Sequence, residues 1–246
     1  MREPRLWVDQ PLTPGGRINL DSGAARYLLQ VLRLRTGSLV LAFNDQGAEH
    51  AALLGMAGRD GAYLDIQELR RWEDPPKLDL HLLLGISKGE RMDFSLQKAV
   101  ELGVTRISPL LTRRNVVELR GERLERRLQH WRQILAAAAA QCGRCRLPAL
   151  DAPHALEQAL DGAQGDLDIL LYHRGTASLP ELAPPRRSIR LLIGPEGGME
   201  PEEVSLAQRR GFVPVRLGPR ILRTETAPLA ALAAIQALWG DFRPDD

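Results

Sequence analysis

Continuous apolar runs alternate with amphipathic segments over the last two thirds of the chain. Five runs are predominantly apolar, as expected of strands buried on both faces of a parallel sheet, and the first of them is nearly continuous; they cover residues 78–86, 104–111, 167–172, 189–193 and 213–217. Segments with apolar residues at helical spacing lie between and after them, over residues 92–102, 123–142, 201–210 and 227–239. This alternation predicts an α/β domain in which helices cover both faces of a parallel sheet.

The pattern differs before residue 70, where the apolar segments are short. Three of them, residues 6–8, 39–43 and 62–66, predict strands separated by turns. One helix is predicted over residues 22–32, with Ser22 as its N-cap. Short strands, tight turns and a single helix predict a small β-barrel-like domain.

A charged stretch with two adjacent prolines, residues 70–77, separates the two patterns. Paired prolines favour extended backbone, so this stretch predicts a linker. We therefore expect two domains, covering residues 1–73 and 74–246.

Composition and charge exclude several classes of protein. No apolar run approaches the roughly 20 residues of a membrane-spanning helix, and the N-terminus has no signal-peptide pattern. Two cysteines cannot form a disulfide scaffold, which favours a reducing cytoplasm. The 33 basic and 31 acidic residues give a net charge of only +2, so any contact with nucleic acid must come from local basic patches.

A glycine-rich turn, residues 193–198, lies between a predicted strand and a predicted helix. Such a turn lets backbone approach a ligand closely, but the sequence lacks both common nucleotide-loop patterns, Gly-x-Gly-x-x-Gly and Gly-Lys-Ser/Thr. Four glutamates surround it, which would repel a phosphate and would tolerate a sulfonium ligand such as S-adenosylmethionine. The alternative is a tight structural turn with Pro201 at the first helical position.

A second turn, residues 217–227, also joins a strand to a helix. It brings Arg223 and Glu225 close to a helix N-terminus, where a cation opposes the helix dipole, so a functional role is favoured. The alternative is a plain loop in which Thr224 or Thr226 caps the helix.

Both turns resemble one family. The strings LLIGPEGG (191–198) and LGPRILRTETA (217–227) are similar to those of the RsmE-type ribosomal RNA methyltransferases of the SPOUT superfamily. The similarity extends along the chain through residues 31–47, 87–115 and 137–144. Met199 and Glu200 depart from the family pattern after the double glycine, and Tyr27 stands where a histidine is common.

The resemblance implies a PUA-like β-barrel followed by a SPOUT-type parallel sheet with a C-terminal deep trefoil knot. It also implies S-adenosylmethionine as the cofactor, no metal, and a homodimer whose active site is bordered by both subunits. The apolar helix at residues 227–239 is the expected dimer contact. The implied cofactor residues are Leu171, Tyr172, His173, Gly194, Pro195, Glu196, Gly197, Gly198, Leu217, Gly218, Ile221, Leu222, Arg223 and Thr224.

The implied reaction is methylation of N3 of a uridine in 16S rRNA of the small ribosomal subunit. Because that nitrogen carries a proton, the site needs a base near N3 and a cation near the developing anion. We assign Arg223 to the anion and Glu225 to the base, with Glu196 as the second candidate. Two alternatives stay open: a SPOUT methyltransferase acting on tRNA or a ribose 2′-hydroxyl, and an inactive rRNA-binding assembly factor.

Contacts with RNA are expected from basic residues of both domains. The candidates are Arg5, Arg33, Arg35, Lys88, Arg91, Arg113 and Arg114. The alternative for the arginine-rich stretch 113–132 is a solvated helix face with Glu–Arg pairs. Cys142 and Cys145 form an isolated Cys-x-x-Cys at a helix end, which predicts ordinary thiols and no zinc site.

Overall fold

The computed structural model describes residues 3–58, 61–114 and 121–242 of the chain. It divides into two compact units: Met1–Pro75 with Ala136–Leu147, and Pro76–Leu135 with Pro148–Asp246. Part of the arginine-rich stretch, residues 115–120, lies outside the described residues.

The first unit contains a five-stranded sheet with the strand order β1-β3-β4-β5-β2. Its strands are β1 (Arg5–Trp7), β2 (Arg17–Asn19), β3 (Leu39–Phe43), β4 (Ala48–Ala57) and β5 (Gly61–Trp72). β1 pairs in parallel with β3, and the remaining pairs are antiparallel. Buried side chains such as Leu28, Val40 and Leu64 form its core.

The helix predicted over residues 22–32 consists of two parts. An α-helix, α1 (Ser22–Arg26), continues as a π-helical turn over Tyr27–Val31. The predicted cap at Ser22 is wrong by one residue, because the Asp21 carboxylate accepts the hydrogen bond from the Ala24 N–H at 2.8 Å. π-Helical turns are rare and occur frequently at functional sites.

The second unit contains a seven-stranded parallel sheet, which confirms the predicted α/β class. The order is β12-β10-β11-β6-β7-β8, and β9 also pairs with β7. The strands are β6 (Asp79–Gly85), β7 (Arg106–Leu111), β8 (Ala149–Leu150), β9 (His154–Ala155), β10 (Leu167–Leu171), β11 (Ser188–Ile193) and β12 (Val213–Val215). The helices are α2 (Glu90–Glu101), α3 (Gly121–Cys142), α4 (Leu156–Leu160), α5 (Pro201–Arg209) and α6 (Thr226–Trp239).

Helix α6 is less available for an external partner than its composition suggests. Leu232 and Ile235 are completely buried within the chain, so they do not belong to an exposed apolar face. Leu229, Leu238 and Trp239 remain partly exposed. The dimer contact expected at residues 227–239 therefore cannot use Leu232 and Ile235, which the chain itself covers.

The end of α3 belongs to the first unit because it is held by a buried arginine. Arg5 of β1 donates from Nη1 to the carbonyl oxygens of Ala139 at 2.7 Å and Ala140 at 3.0 Å, and from Nη2 to that of Arg144 at 2.9 Å. Its Nε is bound to the buried Glu49 carboxylate. A cation at a helix C-terminus satisfies the last carbonyls and complements the dipole. The predicted contact of Arg5 with RNA does not fit this placement.

A partly buried histidine lies on β6, away from the carboxyl ends of the strands. His81 Nε2 is 2.7 Å from Ser108 Oγ. Burial, followed by the charge of Arg106, lowers the pKa of His81 from 6.5 to about 4. The folded protein therefore keeps His81 neutral at pH values where the unfolded chain protonates it.

Acidification is expected to destabilise the protein through His81. Its folded pKa lies below its unfolded pKa, so stability is complete above pH 6.5 and is lost as the pH falls toward 4. The expected loss from this group is about 2 kcal/mol between roughly pH 7.5 and 5. Urea unfolding at these two pH values measures the free energy of unfolding. Its decrease on acidification should be smaller in His81→Gln than in the wild type by that amount. Equal losses in the variant and the wild type would contradict this assignment.

Candidate functional site

A cavity of about 250 Å³ lies at the carboxyl ends of β10, β11 and β12. The segments that follow these strands, residues 171–173, 193–199 and 216–222, supply most of its lining. Parallel strands direct their loops to the same edge of the sheet, which is where ligands bind in α/β folds.

The cavity brings together most of the predicted cofactor residues. All of them line it except Gly218 and Arg223. The structure adds lining residues that sequence reasoning did not assign to the cofactor: Arg114, Ile193, Met199, Arg216, Arg220 and Ala227. Met199 and Ile193 flank the glycine turn in the sequence, so their position beside it could have indicated that they line the cavity.

The glycine loop, residues 194–198, forms one wall of the cavity. Gly198 adopts a left-handed φ of 71°, and its N–H donates to the Pro195 carbonyl at 2.8 Å, which closes a tight turn. A Cβ on Gly194 would stand 2.8 Å from Met199 Cγ. The turn therefore needs glycine both for its backbone angle and for its close packing.

A glycine outside the predicted motifs supports this loop. A Cβ on Gly85, the last residue of β6, would stand 2.4 Å from Pro195 N and 2.8 Å from Gly194 C. The loop backbone thus rests directly on the end of the central strand. A glycine at the end of an otherwise apolar strand is the sequence signal for such an approach.

The two candidate bases flank one arginine. Arg91, near the start of α2, lies 3.2 Å from Glu196 Oε1 and 3.8 Å from Glu225 Oε2. Glu196 Oε1 also accepts a hydrogen bond from the Lys88 N–H at 3.0 Å. Glu225 Oε2 is closed to solvent and has no hydrogen-bond partner among the described residues. Arg91 thus contacts carboxylates of both predicted catalytic loops.

Arg114 is engaged by the glycine loop and the start of α5. It donates to the Glu200 carboxylate at 2.7 and 3.0 Å and to the Gly197 carbonyl at 2.9 Å. The hydrogen bond from Arg114 lowers the pKa of the Glu200 carboxyl. Arg113 is exposed, and its side chain is 3.9 Å from the exposed Glu202.

The charge around the glycine loop differs from the sequence expectation. Of the four nearby glutamates, only Glu196 lines the cavity. Glu200 is paired with Arg114, and Glu203 is buried and accepts backbone hydrogen bonds. The expected repulsion of a phosphate by all four carboxylates is therefore wrong, because Glu200 and Glu203 are bound within the fold.

The start of α6 is held differently from the predicted threonine cap. The N-cap position is Glu225, which makes no capping hydrogen bond with its side chain. Thr224 Oγ1 is instead 3.1 Å from Ser87 Oγ, just beyond β6. The second turn is thereby fixed to the central part of the sheet.

Three of the arginines that the structure describes in the first unit have no partner among the described residues. Arg26, Arg33 and Arg35 are exposed, and their side chains make no ion pair or hydrogen bond within the described residues. The remaining arginines described in residues 3–75 pair with acids: Arg5 with Glu49, Arg17 with Asp65, Arg70 with Glu68 and Arg71 with Glu49. Among the arginines that the structure describes in residues 3–75, the free guanidinium groups thus lie in residues 26–35.

Cysteines and histidines form no metal centre in the described ranges, where no cluster of three or more potential ligands occurs. Both cysteines are free, and burial raises the pKa of Cys145. His173 lines the cavity beside Tyr172, with the two ring centroids 4.9 Å apart. Among the described helices, none is long and apolar enough for a membrane crossing.

Comparisons with known proteins agree with this site. Residues 74–236 match the family described as RNA methyltransferase domain. The ribosomal RNA small subunit methyltransferase E of Buchnera aphidicola (subsp. Schizaphis graminum) is 32% identical, with 98% of each chain covered.

Two solved structures resemble the whole chain. A Legionella pneumophila methyltransferase in complex with S-adenosylmethionine is 34% identical with a TM-score of 0.93, covering 98% of this chain and 100% of its own. The small subunit methyltransferase E of Neisseria gonorrhoeae, also bound to S-adenosylmethionine, is 36% identical with a TM-score of 0.89 and the same coverage. The cavity, its glycine loop and these similarities together establish that the chain belongs to the ribosomal RNA small subunit methyltransferase E family of RNA methyltransferases.

Proposed function

We propose that this protein transfers a methyl group from S-adenosylmethionine to N3 of a uridine in 16S rRNA of the small ribosomal subunit, in the cytoplasm. The observation that carries the proposal is the glycine loop. It packs on Gly85 and forms one wall of a cavity at the carboxyl ends of three parallel strands. Relatives that share this fold hold S-adenosylmethionine or are named small subunit rRNA methyltransferases. The choice of uridine N3 rests on the two loop motifs.

The cavity suits this cofactor. Its volume is near the lower end of the range of about 300–1,000 Å³ typical of small-molecule sites. The glycine loop offers backbone groups that no Cβ obstructs, and Leu171, Leu217 and Leu222 offer apolar surface. Residues 171–173, 194–198 and 217–224 would hold the cofactor, which supplies an electrophilic methyl group when bound.

Glu225 is the better placed candidate for the base. Its Oε2 lacks a hydrogen-bond donor among the described residues, so this carboxylate keeps an acceptor that the fold does not use. Glu196 Oε1 already accepts from the Lys88 N–H. Arg91 offsets part of the charge of the two carboxylates before substrate arrives.

Arg223 is the candidate for stabilising the uracil anion. Its carbonyl accepts hydrogen bonds from the Thr226 and Ala227 N–H groups, both at 2.9 Å, which fixes its backbone at the start of α6. Its side chain is exposed and makes no ion pair within the described part of the chain. A guanidinium group fixed near O2 or O4 would favour loss of the N3 proton.

We extend the proposal to the SPOUT knot and the PUA-like barrel, with domains at 1–73 and 74–246. β12 is an edge strand, and Thr224 lies against Ser87 beyond the central β6. Residues 216–224 therefore pass the carboxyl ends of β10 and β11, and a knotted connection requires a crossing of this kind. The five-stranded sheet of the first unit supports the barrel.

A homodimer with a shared site is also proposed. The part of α6 that the chain leaves partly exposed, Leu229, Leu238 and Trp239, is the contact that remains available on this helix. Close approach to a second copy is favoured by the alanines between these residues.

The surface at residues 26–35 is the proposed RNA platform of the first unit. Three unpaired guanidinium groups suit phosphates, and Tyr27 and Val31 are 43% and 63% exposed. An exposed ring beside cations suits an unpaired base. Lys88, Arg91 and Arg113 stay proposed RNA contacts of the second unit.

Neutralising this platform should weaken RNA binding without affecting cofactor affinity. The double variant Arg33→Gln/Arg35→Gln is expected to flatten the dependence of log K on log salt by roughly one unit per lost contact. Arg70→Gln is the matched control, because Arg70 is paired with Glu68 in the same unit. An unchanged slope in the double variant would remove this surface from the RNA site.

Methyl transfer from labelled S-adenosylmethionine tests the proposed function. The protein is incubated with 16S rRNA, with 30S particles and with tRNA, and the products are digested to nucleosides. Label in N3-methyluridine from 16S rRNA or 30S particles supports the proposal. Label in tRNA or in a 2′-O-methyl nucleoside would favour the other SPOUT reactions, and an absence of cofactor binding would favour an assembly factor.

A further inference from the structure

We propose that Arg114 is a positioning residue of the cofactor pocket and not an RNA contact. Its guanidinium fastens the segment after β7 to the glycine loop and to the start of α5. This inference rests on the proposed use of S-adenosylmethionine, and it does not depend on which RNA atom is methylated.

Three nitrogens of Arg114 are used within the fold. Nε and Nη2 donate to the two carboxylate oxygens of Glu200, and Nη1 donates to the Gly197 carbonyl. The paired bonds to Glu200 have the planar fork geometry that distinguishes arginine from lysine. Three of the five guanidinium N–H groups are thus bound within the fold before any RNA arrives.

A second connection joins the same two segments. Glu203 is only 3% exposed, and its Oε1 accepts from the Arg113 N–H at 2.9 Å. Its Oε2 accepts from the Glu200 N–H at 2.8 Å. A buried carboxylate needs such donors, so this connection ties the segment after β7 to the first turn of α5 beneath the Arg114 contacts.

These connections act on residues that line the cavity. Gly197 and Gly198 give the loop conformational freedom, which costs entropy when a ligand requires one shape. Arg114 itself lines the cavity, and a Cβ on Gly197 would stand 3.1 Å from Arg114 Cβ. Fastening the loop before the cofactor arrives should therefore increase affinity by preorganisation, without taking part in the chemistry.

Calorimetric titration with S-adenosylmethionine compares Arg114→Met with its neighbour Arg113→Met. We expect Arg114→Met to raise the Kd about tenfold, because the loop must be ordered at the expense of binding energy. Arg113→Met should change the Kd less than twofold, since its side chain does not line the cavity. Glu200→Gln removes the other partner of the same contact and should raise the Kd in the same direction.

Two further readouts separate positioning from RNA binding and from general stability. With Arg114→Met, KM for S-adenosylmethionine should rise while kcat at saturating cofactor stays near the wild-type value. The salt dependence of RNA binding should be unchanged, and Arg114→Lys should restore only part of the affinity.

An unchanged Kd in folded Arg114→Met, or a lower salt slope for RNA, would overturn the inference. If Arg114→Met does not fold, Glu200→Gln tests the inference instead: a raised Kd for S-adenosylmethionine supports it, and an unchanged Kd overturns it. A wild-type protein that fails to bind S-adenosylmethionine would instead refute the proposed function.

Discussion

Replacement of Gly85 by alanine should abolish cofactor binding in a protein that still folds. The added methyl group would stand 2.4 Å from Pro195 N and 2.6 Å from Pro195 Cδ, closer than any real Cβ contact. These atoms belong to the glycine loop, so they cannot rotate away as a flexible side chain can. The loop must shift from the end of β6, and the wall of the cavity shifts with it.

The expected effect is at least about a 100-fold rise in the Kd for S-adenosylmethionine, equivalent to about 2.7 kcal/mol. Calorimetry measures the Kd, and thermal unfolding reports whether the fold persists. Gly162→Ala is the control, because the nearest atom to a Cβ there is a backbone oxygen at 3.3 Å, away from the cavity. A folded Gly85→Ala protein within threefold of the wild-type Kd would contradict this account of the loop.

Glu225→Gln should remove most of the methyl transfer while cofactor affinity is retained. The amide keeps the shape of the side chain and cannot accept the N3 proton as a carboxylate does. General-base catalysis contributes typically about 10²- to 10⁴-fold, and kcat should fall within this range. Glu225 does not line the cavity, so the Kd for S-adenosylmethionine should be nearly unchanged.

Glu196→Gln and Glu202→Gln complete the comparison. Glu196 lines the cavity and should affect cofactor affinity as well as rate, whereas the exposed Glu202 should affect neither. If Glu225→Gln transfers methyl groups at nearly the wild-type rate and Glu196→Gln does not, the base is Glu196.

The parallel sheet could be predicted because its strands are apolar on both faces. Residues of β6, β10 and β11 are mostly buried, and the exposed position among them is Asp79 at the very start of β6. Strand β4 is not predicted from the sequence, because polar residues interrupt its apolar pattern. It carries Glu49 and His50, which are buried only because Arg5 and the Gln67 carbonyl bind them, and such partners cannot be recognised from a linear pattern.

The resemblance to the family implied the location of the candidate site, whereas its ion pairs had no signal in the sequence. It grouped residues 171–173, 194–198 and 217–224, and loops after neighbouring parallel strands do meet at one edge of the sheet. Which carboxylate each arginine contacts depends on tertiary proximity. For this reason the sequence predicts an RNA contact for Arg114 and gives no sign of its pairing with Glu200, or of the pairing of Arg91 with Glu196.

The assignment of residues 136–147 to the first unit also had no linear signal. A long helix with continuous apolar spacing gives no indication that its end is held by carbonyl contacts to Arg5. Satisfying the last carbonyls of a helix with a cation from a distant strand is a tertiary event.

The most direct test of the central claim is mass analysis of 16S rRNA nucleosides from a strain lacking this gene. Three samples are compared: the deletion strain, the strain with the gene restored, and the strain carrying the Glu225→Gln allele. The account predicts that N3-methyluridine disappears from 16S rRNA in the deletion strain, returns with the wild-type gene and does not return with the variant. Unchanged N3-methyluridine in 16S rRNA of the deletion strain would contradict it.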